Sequence, residues 1–175
     1  MKPLSWDTTA PLHANSCDRV SSLLAAAGAR DHLMAGVVAQ ELTELGAIDA
    51  VQYFSIDPLD SMEGLAALAA WMLRMGSSAD DGHDVGEAGA EAVAELRGAI
   101  AVIDDRHARQ VAHRYLIEYH GSLWAISQTV VHQTLGTPNA HSGLCDRMLS
   151  TGIRWPFEAG GYPAWFERHK KELTE

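Results

Sequence analysis

The chain has 175 residues, of which 47% are hydrophobic and 7% aromatic, and its formal net charge is −10. This length and apolar content exclude a disordered chain and are enough for one domain with its own core. A composition dominated by alanine, leucine and valine favours packed helices over a β-sandwich or barrel. We therefore expect an all-α fold, a compact bundle of about six helices with a docked, aromatic-rich C-terminal tail.

The negative charge is concentrated in the first hundred residues. Residues 51–100 carry nine acidic and two basic side chains, whereas residues 101–175 carry eight of each. The acidic region should repel nucleic acid and anionic membranes and attract basic surfaces.

Targeting signals and cysteine usage point to the cytoplasm. Residues 1–14 contain two prolines and no apolar core of the length that a secretory signal needs. The longest apolar run, residues 65–73, is too short to span a bilayer. We expect a cytoplasmic protein without membrane contact, in which Cys17 and Cys145 are reduced.

Start and stop signals divide the first half of the chain into helices. Residues 1–14 should form an extended arm, followed by a helix that ends at Gly28. Asp31 can cap a second helix, whose apolar residues recur at three- and four-residue steps up to Gly46. Residues 47–56 are a connection or a helical extension, because their short strand-like alternation has no second run to pair with.

The pattern continues in the middle of the chain. Asp57 and Pro58 predict the start of a helix that ends at Gly76, and residues 77–86 should form a flexible acidic loop. Residues 87–135 contain no proline, so we expect two helices that break near Asp104 and Asp105.

A last helix over about residues 141–150 completes the bundle, which we place at residues 15–152. Residues 153–175 hold five aromatic side chains among prolines and glycines. Because exposed rings of this number would form a large apolar patch, this segment should pack on the bundle.

A histidine-containing stripe is predicted on the helix over residues 111–135. His113 and His120 lie seven residues apart, about 10 Å along a helix, so one metal ion would need ligands from other helices. His141 and Cys145 are four residues apart, a spacing compatible with metal ligands or with a thiolate–imidazole pair. We expect core or structural roles for these side chains; the alternative metal set is His107, His113, Glu118, His120, His141 and Cys145.

Nucleotide-binding patterns are absent. Gly82, Gly86 and Gly89 match neither the dinucleotide-binding nor the P-loop spacing. The basic side chains of the second half are offset by neighbouring acids, so we expect no direct contact with nucleic acid.

The acidic region suggests a binding function. Glu87, Glu91 and Glu95 recur at four-residue steps, spaced about 6 Å along one side of a helix, close to the phosphate repeat of nucleic acid. We hypothesise a non-enzymatic acidic helical interaction protein that docks this face on a basic, nucleic-acid-binding protein or complex. Its partner-binding residues would be Asp57, Asp60, Glu63, Asp80, Asp81, Asp84, Glu87, Glu91 and Glu95.

This hypothesis is similar, in charge alone, to small acidic inhibitors of restriction or CRISPR complexes (anti-CRISPR proteins) from phages and mobile elements. Such a module requires no cofactor. The alternatives are a helical-bundle enzyme or sensor with a His/Glu/Cys metal site, and a structural module that forms a homodimer through its two-faced helix.

Overall fold

A parallel sheet lies at the centre of the molecule. The computed structural model describes residues 1–76, 84–132, 134 and 137–174. The strands within these residues are β1 Leu4–Trp6, β2 His32–Ala35, β3 Ser55–Asp57, β4 Ile100–Val102 and β5 Tyr119–His120. They pair in parallel in the order β3-β2-β1-β4-β5. The fold is therefore α/β, and the predicted all-α bundle is wrong.

The physical reason for this error is the shortness and burial of the strands. Every residue of β1 and of β4 is buried, so neither strand shows an alternation of apolar and polar side chains. The partners of β1 are about 30 and 100 residues away in the chain, so no hairpin signal marks the pairing.

Helices connect the strands. Within the described residues they are α1 Thr9–Ser16, α2 Val20–Ala27, α3 Gly36–Glu44, α4 Ile48–Val51, α5 Met62–Met75, α6 Val85–Arg97, α7 Arg106–Arg114, α8 Ser122–Val131, α9 Pro138–Ser150 and α10 Tyr162–His169, followed by a 3-10 turn Glu172–Thr174. Of these, α6 packs on β1, β2 and β4, and α2 packs against α8.

Several local stop signals act as predicted. Gly28 follows α2, Gly46 follows α3 with φ of +78°, and the left-handed Gly76 caps α5. Asp105 caps α7 by accepting a hydrogen bond from the N–H of Ala108. The predicted break near Asp104 thus exists, although β4 separates the two helices.

Other predicted elements differ from the structure. Residues 1–14 are not an extended arm, because they contain β1 at the centre of the sheet and most of α1. The residues directly after Asp31 form the strand β2, and the helix expected there begins only at Gly36. The helix expected from Asp57 begins only at Met62, and Ser61 is its cap. Of the loop predicted at residues 77–86, residues 77–83 lie outside the described part.

The predicted continuous helix over residues 111–135 is not formed. Leu116 has a φ of +61°, which ends helical geometry after α7, and β5 and α8 follow. His113 and His120 therefore lie on different elements, and the two-faced helix does not exist.

The C-terminal segment packs on the rest of the chain, as predicted from its aromatic residues. Tyr162, Trp165 and Phe166 are buried on α10, which packs against α9. Cys17 and Cys145 are both free thiols. In the described part of the chain, every helix falls short of the length and apolarity needed to cross a bilayer.

Strand order determines where a site can form. The chain passes from β1 through β2 to β3 on one side and then returns to place β4 and β5 on the other. The loops after β1 and β4 diverge at this reversal, which opens a crevice at the carboxyl ends of the strands. Asp7 directly follows β1, and Asp104 follows β4 by two residues.

Candidate active site

Two aspartates lie side by side at the carboxyl ends of β1 and β4. The N–H of Asp7 donates to the carbonyl of Val102 over 3.1 Å, which continues the pairing of the two strands. The N–H of Asp104 lies 3.4 Å from Asp7 Oδ2, and the N–H of Thr9 donates to Asp7 Oδ1 over 3.1 Å. The backbone thus positions both carboxylates at the crevice.

The environment of Asp7 opposes a negative charge. Only 1% of its surface is exposed. Burial raises the pKa of Asp7 well above its ordinary value, and the charges of Asp104 and Glu87 raise it further. Asp7 is therefore surrounded by like charge rather than by a compensating cation.

Asp104 has one satisfied and one unsatisfied oxygen. Its Oδ1 accepts a hydrogen bond of 2.8 Å from the N–H of Ser122 at the start of α8. Its Oδ2 is buried and has no hydrogen-bond partner. A buried carboxylate oxygen without a partner is costly unless a ligand supplies the missing interaction.

Glu41 reaches the crevice from α3. The hydroxyl of Thr8 donates to Glu41 Oε2. A Cβ at Gly86, in the first turn of α6, would lie 2.6 Å from the same oxygen and 3.0 Å from Thr8 Oγ1. The absence of a side chain at Gly86 therefore leaves the space that the Glu41 carboxylate occupies.

Glu87 interacts electrostatically with both Asp7 and Glu41. It lies half-buried in the first turn of α6. Burial raises the pKa of Glu87, and the charges of Glu41, Asp84 and Asp105 also raise it. We call Asp7, Glu41, Glu87 and Asp104 the carboxylate cluster. Within the described residues, none of the four forms an ion pair with Lys, Arg or His.

An open cleft reaches Glu41 and Glu87, two members of the cluster. It has a volume of about 720 Å³ and is lined by Glu41, Asp84, Gly86 and Glu87, among others. This volume lies within the range of about 300–1,000 Å³ that is typical of ligand sites.

The donor chemistry of the cluster fits a hydrated divalent cation such as Mg²⁺. Such an ion prefers oxygen ligands and usually keeps several waters, with one or two direct carboxylates. The described residues contain no group of three His, Cys, Asp or Glu already arranged to hold an ion. The Asp104 Oδ2 atom has no hydrogen-bond partner and is free to act as a ligand. The neighbouring carboxylates repel one another, so the site favours a positive ion.

Residues 22–159 match the family model described as DUF3368, PIN domain, which covers most of the chain. The chain belongs to the PIN-domain family. The matched residues include Glu41, Glu87 and Asp104, whereas Asp7 precedes them and is placed in the cluster by the structure. No curated protein and no solved structure matches the chain.

Membership of the PIN-domain family corrects the functional hypothesis. PIN domains are typically nucleases, so the interpretation as a non-enzymatic acidic inhibitor of the anti-CRISPR type is wrong. The two alternatives, a helical-bundle metal enzyme or sensor and a helical oligomerisation module, share the error, because each assumed a bundle. A homodimer stays a prediction.

The predicted acidic face does not form a single exposed row. Glu91 is completely buried, and Glu87 belongs to the carboxylate cluster. Glu95 accepts hydrogen bonds from Trp71 Nε1 at 2.7 Å and from Arg74 at 3.4 Å.

The remaining acids of the predicted face are dispersed. Asp57 forms an ion pair with Arg97, and Asp84 precedes α6. Asp60 is exposed between β3 and α5, and Glu63 is exposed in the first turn of α5. Asp80 and Asp81 lie outside the described residues.

The alternative metal ligands are also dispersed. His107 contacts the carbonyl of Met75, Glu118 pairs with Lys2, and His113 lies edge-on to Tyr119.

The other three alternative ligands are held within the fold. His120 stacks on Trp124, with 3.9 Å between ring centroids, and burial lowers its pKa. His141 Nδ1 contacts the carbonyl of Ile126, and burial raises the pKa of the Cys145 thiol one turn further along α9. In the described part of the chain, these six side chains do not converge on one point.

Sequence reasoning missed Asp7 and Glu41 and placed Asp104 only at a break between two helices. A signal for the aspartates was present, since the buried runs at residues 4–6 and 100–103 are each followed directly by aspartate. An apolar run with a carboxylate at its end is typical of a parallel strand that carries a site residue. Glu41 has no such signal, because it is one of two acids on the exposed side of α3.

Proposed function

We propose that this PIN domain is a metal-dependent nuclease that hydrolyses phosphodiester bonds of nucleic acid at the carboxylate cluster. The observation that carries the proposal is the convergence of Asp7, Glu41, Glu87 and Asp104, without a basic partner, at the reversal of strand order. Membership of a family whose members are typically nucleases supports the same function.

The cluster also explains how an acidic protein can act on an anionic substrate. Four uncompensated carboxylates repel a phosphate unless a cation lies between them. A bound divalent ion would supply this positive charge and polarise the phosphoryl oxygen. Asp104, whose Oδ2 has no hydrogen-bond partner, and Glu41, which lines the cleft, would be its ligands.

The remaining members of the cluster have positioning roles. The Asp7 carboxylate accepts hydrogen bonds from the N–H groups of Thr9 and Asp104, and the second of these ties the end of β1 to the loop after β4 and orients the Asp104 backbone. Ser122 holds the Asp104 carboxylate through Oδ1, which keeps Oδ2 free. In the hydrolysis, a water molecule loses a proton as its oxygen bonds to phosphorus, the bond from phosphorus to the leaving sugar oxygen breaks, and the leaving oxygen takes up a proton.

The test is cleavage of end-labelled single-stranded RNA and DNA by the purified chain with Mg²⁺ or Mn²⁺ and with EDTA. We expect cleavage only with metal, and a loss of about 100-fold or more in Asp104→Asn. A second readout independent of turnover is the rise in melting temperature on addition of Mn²⁺, which should occur in the wild type and disappear in Asp104→Asn.

The matched control is Asp49→Asn, which removes one exposed carboxylate from α4, outside the cluster. If Asp104→Asn cleaves the substrate as fast as Asp49→Asn does, the cluster is not the active site. Absence of any Mn²⁺-induced stabilisation in the wild type would show that the cluster does not bind this ion.

A further inference from the structure

Three of the four polar groups of Asp104 form hydrogen bonds with other residues. Its N–H lies 3.4 Å from Asp7 Oδ2, its Oδ1 accepts from the N–H of Ser122 over 2.8 Å, and its carbonyl accepts from Arg109 Nη2 over 3.1 Å. Its Oδ2 is buried and has no partner in the described part of the chain. The position of Oδ2 therefore depends on the three residues that hold the other groups.

Arg109 holds two consecutive carbonyls of the loop after β4. It lies half-buried, one turn into α7. Besides the carbonyl of Asp104, it binds the carbonyl of Asp105, to which its Nε donates over 3.3 Å. The rigid, planar guanidinium donates to both oxygens at once, whereas the ammonium of a lysine has a single nitrogen. The side chain thus fixes the peptide group that follows Asp104.

No carboxylate competes for this guanidinium. Within the described residues, Arg109 forms no ion pair. At the start of α8, a Cβ at Gly121 would lie 3.0 Å from Asp104 Oδ1 and 3.5 Å from Arg109 Nη1. The guanidinium therefore lies beside the side chain of Asp104 as well as at its carbonyl.

Asp104 needs such support because its neighbours repel it. Its charge raises the pKa of the buried Asp7, so the two carboxylates are close enough to interact. Asp104 is only half-buried, and repulsion drives its side chain towards water. Of the three hydrogen bonds that oppose this movement, the bond from Arg109 is the one in which a cation takes part, and such bonds are stronger than neutral ones.

We propose that Arg109 is a positioning residue for the proposed hydrolysis, which holds the Asp104 carbonyl so that Oδ2 keeps its place in the carboxylate cluster. This inference rests on the proposed nuclease function and adds a residue outside the cluster. Arg109 acts through Asp104 rather than by contact with the substrate. A small displacement of a group at the reacting centre is enough to lower the rate strongly.

The kinetic test compares Arg109→Met and Arg109→Lys on the end-labelled RNA or DNA that the wild type cleaves with Mg²⁺. Arg109→Met removes both donors, so kcat should fall about tenfold or more while KM stays within about twofold. The rise in melting temperature with Mn²⁺ should also be smaller. Arg109→Lys keeps the charge but reaches only one carbonyl, so its kcat should stay well below that of the wild type.

A second readout needs neither metal nor substrate. The N–H groups of Asp104 and Ser122 take part in the hydrogen bonds around Asp104, so their hydrogen exchange, measured by NMR in EDTA, reports how firmly this loop is held. In Arg109→Met, both amides should exchange about tenfold faster, while the amides of α2 exchange at the wild-type rate.

The matched control is Arg114→Met, which removes an exposed arginine from the last turn of the same helix. Its kcat, KM and amide exchange should equal those of the wild type. Because Arg109 is half-buried, Arg109→Lys provides the test if Arg109→Met does not fold.

The outcomes separate positioning from a direct contact with the substrate, which is the other possible role because Arg109 and Asp104 line a common pocket of about 380 Å³. A raised KM at unchanged kcat would assign that contact to Arg109 and overturn the positioning role. Wild-type kcat, or unchanged exchange of both amides, would also overturn it. If the wild type neither cleaves nor responds to Mn²⁺, the proposed function fails, whereas faster exchange in Arg109→Met would still show that Arg109 holds the loop.

Discussion

Gly86 and Glu41 are so close that a Cβ at residue 86 would lie 2.6 Å from Glu41 Oε2. The contact joins the first turn of α6 to α3, and Thr8, next to Asp7, donates to the same oxygen. A single methyl group at this point would therefore displace a member of the carboxylate cluster without removing any charge.

Gly86→Ala should separate stability from function. Glu41 is a flexible, exposed side chain and can move away, while alanine favours a helix over glycine by about 0.5–1 kcal/mol. We expect an unchanged or higher melting temperature in EDTA, together with a smaller Mn²⁺-induced rise and reduced cleavage. Calorimetric melting with and without Mn²⁺ measures both effects.

The control for this variant is Gly143→Ala on α9, where an added Cβ meets no atom within 4 Å. It should gain similar helix stability and keep the full response to Mn²⁺. A wild-type metal response in Gly86→Ala would show that the position of Glu41 does not matter.

Asp104→Asn should make the metal-free protein more stable. The amide keeps the Oδ1 acceptor for Ser122 and removes one of the charges that raise the pKa of Asp7. We expect a gain of about 1 kcal/mol, or about 2–4 °C in melting temperature, in EDTA at pH 7. The gain should shrink as pH falls, because the pKa of Asp7 is raised and a protonated Asp7 is no longer repelled by a charge at residue 104. A variant less stable than the wild type at pH 7 would contradict repulsion within the cluster.

Glu91 should make stability depend on pH. It is fully buried, neither carboxyl oxygen has a hydrogen-bond partner, and burial, together with Glu87 and against Arg74, raises its pKa to about 9. A raised pKa means that folding favours the protonated acid. The contribution of Glu91 to the free energy of unfolding is therefore fully present below the unfolded pKa of about 4.3 and is lost as pH rises towards 9.

Glu91→Gln should remove this dependence, because the amide is a neutral analogue of the protonated acid. Denaturant unfolding at pH 5, 7 and 9 should show a free energy of unfolding that falls less steeply with pH than in the wild type, by up to about 1.4 kcal/mol per pH unit. Glu167→Gln, an exposed glutamate on α10, should behave as the wild type does. Parallel curves for Glu91→Gln and the wild type would show that Glu91 is ionised in the folded protein.

Asp57→Asn should cost little and leave cleavage intact. Asp57 pairs with the half-exposed Arg97 over 2.6 Å, and this hydrogen bond lowers the pKa of Asp57. The pair should contribute little to stability, since Arg97 is largely solvated. A lowered pKa stabilises the fold above the unfolded pKa, so the difference between variant and wild type should be present at pH 7 and lost as pH falls below about 4. Denaturation at pH 7 and pH 3 measures it; a loss of cleavage at pH 7 would instead place Asp57 in the active site.

The sequence by itself determined the features that depend on neighbours in the chain. Gly28, Gly46 and Gly76 stop helices, and Asp105 starts one, because capping needs only a side chain or a φ value at that residue. The packing of the C-terminal aromatic residues also followed from composition, because exposed rings are costly wherever the chain leads.

Only the tertiary structure decided the sheet and the site. A strand of three buried residues is too short to show a period, and a parallel partner can lie anywhere in the chain, so β1 and β4 could not be paired from the sequence. The same pairing brings Asp7 to Asp104, and the packing of α3 and α6 adds Glu41 and Glu87. In the sequence, each of these acids alone resembles a solvated charge or a helix cap. They come together, and therefore repel one another, only when the strands pair in the order that the fold gives them.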